Sequence, residues 1–358
     1  MMLTFDHETL GQRVLFGTGA ATVNLAAEVS RLGAQRVMVI ASDFETEMAR
    51  MVSADIEVVL WHHDVVMHVP IERAEKARAA AAEHDIDLLV CVGGGSTTGL
   101  AKAIAMTSHL PIIAVPTTYA GSEATNVWGL TEASRKTTGV DTAVLPVTVI
   151  YDAALTLSLP VEMSVASGLN GMAHCIDSMW GPRRDPINAA LGAEGIRALS
   201  QGLPLITANP SGTEGREQAL YGAYLSAVAF ASAGSGLHHK ICHVLGGTFN
   251  LPHAQTHATV LPYVLAFNAP YAPDAETRIA VAFGTAEALT GLQHLRKRLD
   301  APKALSDYGF TADRIAEAVA VVLPAVPDSN PRPVSTENLT RLLQGALTGE
   351  DPAVLLGL

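Results

Sequence analysis

The sequence predicts an α/β N-terminal domain built on a Rossmann-like parallel sheet, followed by an all-α C-terminal domain. Over residues 1–158, short apolar runs alternate with segments of helical periodicity, as in a parallel sheet covered by helices. Strand-like alternation last appears at residues 147–150, and the chain beyond Leu159-Pro160 is almost wholly helical in character. We therefore expect domains at residues 1–158 and 159–358, with the active site in the cleft between them.

Six strands are predicted in the first domain. They lie at residues 14–17, 36–41, 56–60, 86–92, 112–115 and 147–150. Between the first two strands, Leu25, Val29 and Leu32 recur at helical spacing before Gly33, a residue type that commonly ends helices. Residues 74–82 are rich in alanine and predict a further helix.

The glycine run Gly93-Gly94-Gly95-Ser96 joins the fourth strand to a helix predicted at residues 97–106. Such a run lets the backbone approach a phosphate, which the free N–H groups of the helix then bind. The alternative is a plain tight turn, and the run is not the G-x-G-x-x-G fingerprint of ordinary Rossmann domains. A loop with the hydroxyls of Thr117, Thr118 and Ser122 follows the next strand, where open sheets bind ligands.

Histidines are concentrated in one stretch of the second domain. They are His238, His239, His243, His253 and His257, with Lys240 among them. His239 and His243 are four residues apart, as are His253 and His257, so each pair shares a helical face. A Gly-Gly and a proline between the pairs predict a bend that folds them together. The stretch predicts a functional site, with core histidines bonded to the backbone as the alternative.

Composition limits the partners. The chain has 358 residues and a formal net charge of -12, which disfavours nucleic acid and anionic membranes. No apolar run reaches the length of a membrane span, and no signal peptide is visible. Three cysteines without C-x-x-C spacing predict reduced thiols in a cytoplasmic protein.

Four stretches together resemble the iron-containing alcohol dehydrogenase family, with its dehydroquinate synthase-like fold, over nearly the entire chain. They are residues 93–105, 115–132, 168–177 and 238–258. The resemblance implies a nicotinamide-binding first domain, a helical second domain and a cytoplasmic homodimer. The activity it implies is NAD(P)H-dependent reduction of the C=C bond of a small dicarboxylate, 2-maleylacetate, to 3-oxoadipate during the degradation of aromatic compounds.

The same resemblance bears on metal binding. Metal-using members hold a divalent ion with a carboxylate and three histidines, and these ligands would fall at Asn170, His174, His239 and His253. Asparagine stands where the carboxylate is expected, and its carboxamide is a weaker, neutral ligand. We therefore expect that no metal is required and that the pocket suits a substrate with two carboxylates.

The resemblance also implies roles in catalysis. We expect His243 to lie beside the nicotinamide as proton donor, and His174, His239 and His253 to hold the substrate's oxygens. The predicted substrate-binding residues are Asn170, His238, Lys240 and Tyr119.

The predicted cofactor-binding residues extend beyond the glycine turn. Ser42 aligns with the acidic residue that reads the adenosine ribose, and Asp43 is adjacent to it. Lys136 aligns with a lysine that contacts the cofactor. Without a firmly placed acid at residue 42, discrimination against the 2′-phosphate weakens, so we expect NADH and also consider NADPH.

Two other functions stay open from the sequence. One is a metal-dependent alcohol or polyol dehydrogenase of the same family, against which Asn170 argues. The other is a non-catalytic protein that binds a nucleotide or senses a metal, which the complete histidine set disfavours.

Overall fold

The computed structural model describes residues 4–132 and 135–357, and for Arg135 and Lys136 it describes the backbone alone. The chain folds into two compact units. The α/β unit comprises residues 10–159 and 211–220, and the helical unit comprises residues 4–9, 160–210 and 221–357.

A six-stranded parallel sheet and a two-stranded antiparallel ribbon form the strands of the α/β unit. The strands are β1 (Arg13–Phe16), β2 (Val37–Ile40), β3 (Val58–His62), β4 (Leu88–Gly93), β5 (Ile112–Pro116), β6 (Val127–Glu132), β7 (Arg135–Val140) and β8 (Thr148–Tyr151). The helices are α1 (Ala21–Leu32), α2 (Thr46–Val52), α3 (Ile71–Glu83) and α4 (Gly95–Ser108). The sheet order is β1-β8-β5-β4-β2-β3. All six predicted strands are present, and the predicted fold class is confirmed.

Apolar side chains pack on both faces of this sheet, as its continuous apolar strands require. Met38 of β2 packs in one cluster with Ile104 of α4. Its neighbour Val39 points to the other face and packs in a second cluster with Leu25 of α1. Since the strands are parallel, their carboxyl ends meet at one edge of the sheet, where Ser42, the glycine turn and the loop after β5 all lie.

The β6–β7 ribbon was not predicted from the sequence. Its residues are half-buried or exposed where side chains are described, and β7 reads Arg-Lys-Thr-Thr-Gly-Val. A strand with little apolar surface gives no clear alternation of apolar and polar residues, so the pattern on which the other strands rest is missing here.

Nine helices are described in the second half of the chain. They are α5 (Val161–Ser178), α6 (Pro186–Ala208), α7 (Glu214–Ala233), α8 (Leu237–Phe249), α9 (His253–Asn268), α10 (Pro273–Phe283), α11 (Ala288–Arg298), α12 (Ile315–Val322) and α13 (Thr336–Thr348). Buried side chains cover almost the whole of α5 and α9, so these two helices form the centre of the helical unit. Among the described helices, none combines the length and the apolar character needed to cross a bilayer.

Two short segments join a unit other than the one expected from their position in the chain. Residues 4–9 belong to the helical unit, where His7 Nδ1 lies 2.8 Å from Asp185 Oδ2. Residues 211–220 belong to the α/β unit, where Arg216 donates to the carbonyl of Thr156 and Glu217 accepts from Thr18. These contacts are long-range, and local sequence patterns carry no information about them.

Helix ends follow the predicted signals. Gly33 ends α1 in the left-handed conformation, with φ of 70°, which costs a glycine little. Ser335 is the N-cap of α13 and forms a capping box with Asn338. The apolar stripe that follows it, including Leu339 and Leu342, is buried.

Candidate active site

Imidazoles from three helices of the helical unit lie together. The ring centres of His174 on α5 and His239 on α8 are 4.9 Å apart, and that of His257 on α9 is 5.0 Å from His239. His253 begins α9, with its ring 4.4 Å from that of His257. His243 lies one turn after His239 on α8, at 6.0 Å between ring centres. The bend predicted between the histidine pairs is the short connection at residues 250–252.

Asp177 on α5 links that helix to the start of α8. Its Oδ2 accepts hydrogen bonds from the backbone N–H of Gly236 at 2.8 Å and lies 2.7 Å from Nδ1 of His239. Trp180 Nε1 donates to its other oxygen at 3.3 Å. A side chain on residue 236 would overlap this carboxylate, so glycine is required there for the approach of α5 to α8.

This carboxylate sets the tautomer of His239. Because an ionised carboxylate oxygen can only accept hydrogen bonds, Nδ1 of His239 is assigned as the donor to Oδ2 of Asp177. Burial raises the pKa of Asp177, and the donors around it oppose that effect. Burial also lowers the pKa of His239 well below its usual value, so its ring is neutral and Nε2 carries a lone pair.

Several polar atoms of this cluster are buried and have no hydrogen-bond partner among the described residues. They are Asn170 Oδ1, His174 Nδ1, His238 Nδ1, His239 Nε2 and His257 Nε2. Each such atom costs about 1–3 kcal/mol of stability when it stays unsatisfied. A cluster of them is therefore a strong indication that a ligand supplies the partners.

The cluster keeps its imidazoles neutral. Phe230 of α7 packs against His174 and His239, at 4.7 and 4.2 Å between ring centres. Burial, the largest cause, and neighbouring imidazoles lower the pKa of His174, His239 and His257 well below the usual value. Neutral imidazoles are the form that ligates metals or exchanges hydrogen bonds with a substrate.

The structure brings some predicted residues into this cluster and places others at its edge or elsewhere. Asn170 and His174 are buried one turn apart on α5. Lys240 and His243 are half-buried, and His253 is exposed. Tyr119, predicted to bind substrate, is instead buried in the α/β unit, with its hydroxyl against Thr156 and Arg216.

The α/β unit carries the predicted phosphate-binding turn. Gly93 ends β4 with φ of 154°, which favours glycine, and Gly94 is the N-cap of α4, so the turn leads directly into the helix. The loop after β5 runs beside it: Thr117 N–H donates to the carbonyl of Gly93 at 3.2 Å. A Cβ on Gly94 would lie 3.0 Å from Cγ2 of Thr118. A small residue is thus needed at position 94, where the loop after β5 packs closely against the turn.

Glu45 is an acid at this turn that sequence reasoning missed. Its carboxylate accepts hydrogen bonds from Ser42 Oγ at 2.6 Å and from Thr117 Oγ1 at 3.0 Å. Asp43, by contrast, is exposed. Glu45, at the end of the turn of 3-10 helix Asp43–Glu45, is thus the acid that Ser42 contacts. The side chain of Lys136 lies outside the described residues.

Lys102, also missed, fixes the loop that carries Ser122. Its Nζ is buried and donates to the carbonyls of Ser122, Thr125 and Val127 at 2.6, 2.7 and 2.8 Å. Burial lowers the pKa of Lys102 to about 7, an effect that the nearby Glu123 opposes. All three carbonyls accept a hydrogen bond from Lys102 Nζ. We therefore assign Lys102 a structural role, despite its lowered pKa.

A glycine turn at the edge of a parallel sheet, in a chain that also holds a buried cluster of imidazoles, fits an oxidoreductase that uses a nucleotide cofactor. Two family models match the chain: "iron-containing alcohol dehydrogenase" over residues 11–153, and "Fe-containing alcohol dehydrogenase family, C-terminal" over residues 164–347. The chain belongs to the iron-containing alcohol dehydrogenase family.

Individual relatives are similar over their full length. Maleylacetate reductase of Sphingobium indicum is 44% identical over 352 residues, which cover 98% of this chain and 99% of the relative. The crystal structure of an iron-containing alcohol dehydrogenase from Corynebacterium glutamicum has a TM-score of 0.98 at 71% identity, covering 99% of this chain and 100% of that one. That of maleylacetate reductase from a Rhizobium species has a TM-score of 0.93 at 40% identity, covering 98% and 100%.

The family name implies iron, and the residues at the four ligand positions fit a divalent ion by atom type. Asn170, His174 and His239 each present a buried, unpartnered oxygen or nitrogen among the described residues. Asp177 behind His239 is the carboxylate–histidine arrangement that orients metal ligands. None of the four positions carries a carboxylate, however, so these ligands bring no negative charge of their own.

Proposed function

We propose that the protein reduces the C=C bond of 2-maleylacetate to 3-oxoadipate with NADH as hydride donor. Its full-length similarity to maleylacetate reductases supports this substrate, and family membership supports NAD(H) as the redox cofactor. The observation that carries the proposal is the buried cluster of unpartnered imidazole and carboxamide atoms without a carboxylate at the four positions. Without a carboxylate at these positions, the pocket repels an anionic substrate less than the ligand set of a metal-using relative would.

The chemistry follows from the conjugation of the double bond with a ketone. Hydride from C4 of the nicotinamide adds to the carbon β to the ketone, and the electron pair of the C=C bond moves to form an enolate. A proton then adds to the adjacent carbon, which yields 3-oxoadipate and NAD⁺. The protein must therefore stabilise charge on the ketone oxygen and deliver one proton.

We propose His243 as the proton donor. It lies at the edge of the imidazole cluster, half-buried, and within one helical turn of His239. A histidine with partial access to water can be reprotonated between turnovers, which the fully buried imidazoles cannot do as readily. His174 and His253 are proposed to contact the substrate's oxygens, with Lys240 available for a carboxylate. His239, whose Nε2 carries a lone pair, is proposed to line the same pocket as an acceptor.

We propose that NADH is preferred to NADPH. The pyrophosphate is assigned to Gly93-Gly94-Gly95-Ser96 and to the hydroxyl of Thr118, because the helix that starts there has no acid in its first turn. The hydroxyl of Thr117 already donates to Glu45 and so holds the loop beside the turn. Glu45 adds a negative charge at the edge of the sheet where the adenosine ribose binds in such folds, and this charge opposes a 2′-phosphate.

A divalent ion, when bound, would be held by Asn170, His174, His239 and His253 and would polarise the ketone oxygen. We propose that turnover does not require it. The reacting group is an activated C=C bond, which accepts hydride more readily than an isolated carbonyl does. The ligand set also lacks the carboxylate that would offset the charge of the ion.

One assay tests substrate and metal together. NADH oxidation is followed with maleylacetate, with a chloro-substituted maleylacetate and with simple aldehydes, each before and after dialysis against a chelator. We expect rapid oxidation with the maleylacetates, little with the aldehydes, and no loss after chelation. Loss of turnover that iron or zinc restores would show that the metal is required. Faster turnover of aldehydes would identify a metal-dependent alcohol dehydrogenase instead.

The remaining expectations stay predictions of the family resemblance. They are a homodimer, a cytoplasmic location, and no nucleic acid or membrane as partner. Analytical ultracentrifugation gives the mass of the assembly directly, and a dimer of 37.5 kDa chains is the expected result.

A further inference from the structure

His257 is a fully buried imidazole that none of the proposed roles uses. It lies one turn into α9, with its ring centre 4.4 Å from that of His253 and 5.0 Å from that of His239. Its Nδ1 is 2.9 Å from Nε2 of His238, a hydrogen-bond distance. Its Nε2 is buried and has no partner among the residues that the structure describes.

The hydrogen bond between the two rings links their tautomers. If His238 carries its proton on Nε2, that proton is donated to Nδ1 of His257, and a neutral His257 must carry its own proton on Nε2. If His257 donates from Nδ1 instead, its Nε2 is a lone pair. Moving between these states needs no change in the total number of protons on the pair.

This freedom distinguishes His257 from His239. The Asp177 carboxylate holds Nδ1 of His239, so a neutral His239 can present only a lone pair at Nε2. Among the residues that the structure describes, the hydrogen-bond partner of His257 is another imidazole, which can accept or donate. Between these two buried rings, His257 alone can donate a hydrogen bond into the cluster while it remains neutral.

We propose that His257 binds a carboxylate of the substrate through Nε2–H, and that His238 is a positioning residue that selects the donor tautomer of His257. An anion at Nε2 stabilises the state in which His238 donates to His257. Cys242 Sγ, 3.6 Å from Nε2 of His238, is a weak partner for the same N–H and does not compete with the shorter N···N contact.

His238 is thereby assigned a role other than the one predicted from the sequence. From the sequence, His238 was expected to contact the substrate directly. Its Nε2 is instead directed at His257, and the ring is almost completely buried, with 1% of its surface exposed. The proposal rests on the proposed function, because it assumes a dicarboxylate substrate.

Steady-state kinetics with NADH and maleylacetate test the proposal. His257→Phe keeps a planar ring but removes the N–H, so KM for maleylacetate should rise about 10- to 100-fold, the size expected for a lost hydrogen bond to a charged group. The value of kcat should change by less than about threefold, because a carboxylate contact acts equally on the ground state and the transition state. His257→Gln, which retains an amide donor, should restore part of the affinity.

Two further variants separate positioning from packing. His238→Phe should raise KM in the same direction, and His238→Phe combined with His257→Phe should add little to the effect of His257→Phe alone. His294→Phe, on the exposed surface of α11, is the matched control and should leave KM unchanged. The dissociation constant for NADH and the thermal unfolding of each variant show whether its fold is retained.

Each outcome has a distinct meaning. If His257→Phe is folded and its KM for maleylacetate is unchanged, the assignment of His257 to a substrate carboxylate is overturned, whether or not kcat falls. The proposed function still stands in that case, provided that the wild-type protein turns over maleylacetate. Additive effects in the double variant overturn the positioning role of His238. If the wild-type protein does not turn over maleylacetate at all, the proposed function fails, and this inference fails with it.

Discussion

Two acidic residues outside every predicted ligand set govern what the predicted residues can do. Asp177 holds Nδ1 of His239 and so fixes which nitrogen faces the ligand. Glu45 accepts from Ser42 and Thr117, two of the predicted cofactor-binding residues. Asp177 lies 62 residues before His239, and Glu45 lies 72 residues before Thr117 and three residues after Ser42. A sequence motif that contains the histidine or the hydroxyl residue therefore does not identify the acid that contacts it.

The charge of Glu45 leads to a prediction about cofactor choice. Glu45→Gln keeps an oxygen that can accept from Ser42 and Thr117 but removes the negative charge near the ribose position. We expect the ratio of kcat/KM for NADPH to that for NADH to rise about tenfold, the factor that corresponds to roughly 1.4 kcal/mol of relieved repulsion. Parallel rate measurements with the two cofactors give this ratio.

Two neighbouring acids serve as controls. Glu47→Gln, exposed on α2, removes the same charge and should leave the ratio unchanged. Asp43→Asn tests the residue that the sequence placed next to Ser42. A shift with Asp43→Asn and none with Glu45→Gln would assign the ribose contact to Asp43 and contradict the role given to Glu45.

At the scale of elements, the start of α6 gives a stability prediction. Asp185 is the N-cap, with its carboxylate accepting from the backbone N–H of Ile187 and Asn188 at 2.7 and 2.9 Å. Asp185→Ala should lower the free energy of unfolding by about 1–2 kcal/mol, as lost caps do. Urea denaturation at pH 7 measures the change, and Asp307→Ala at an exposed position should leave stability nearly unchanged.

The difference in free energy of unfolding between wild type and Asp185→Ala should depend on pH, and the pKa of Asp185 gives the direction. Burial alone would raise the pKa of Asp185, but hydrogen bonds from His7 and the two amides outweigh it and lower the pKa below its usual 3.8. A lowered folded pKa means that the stabilisation is fully present above pH 3.8 and is lost as the pH falls through the folded value. The gap in free energy of unfolding between wild type and Asp185→Ala should therefore narrow as the pH falls below 3.8. A gap that widens between pH 3.8 and lower values would contradict the assignment.

Elements with a strong local signal were predictable from the sequence, and those without one were not. The six sheet strands are short apolar runs, and Gly33 and Ser335 are local end signals, so each is readable within a dozen residues. The β6–β7 ribbon lacks an apolar pattern. Spacing placed Asn170 and His174 on one helical face, but it could not reveal that Asp177 of the same helix would hold His239, which lies 62 residues further on.

At the scale of the whole molecule, the residues proposed for cofactor binding and those proposed for catalysis belong to different units. The glycine turn and Glu45 belong to the α/β unit, whereas the imidazole cluster belongs to the helical unit. The family assignment could be reached from the sequence because both sets of residues keep recognisable spacing. The partner of His257 could not, because its contact with His238 depends on how α8 packs against α9.

This division predicts that binding of cofactor and turnover can be impaired separately. His243→Ala, at the edge of the imidazole cluster, should lower kcat by about 100-fold or more, the size expected for a lost general acid, while the dissociation constant for NADH changes little.

Gly94→Ala should instead weaken NADH binding and leave the rate at saturating NADH nearly unchanged. Its added methyl group would lie 3.0 Å from Cγ2 of Thr118, in the turn assigned to the pyrophosphate, so NADH binding should weaken about tenfold or more. Quenching of protein fluorescence by NADH, measured beside single-turnover rates at saturating cofactor, separates the two effects. Unchanged turnover in His243→Ala would remove His243 from the mechanism, and unchanged NADH affinity in Gly94→Ala would place the pyrophosphate elsewhere.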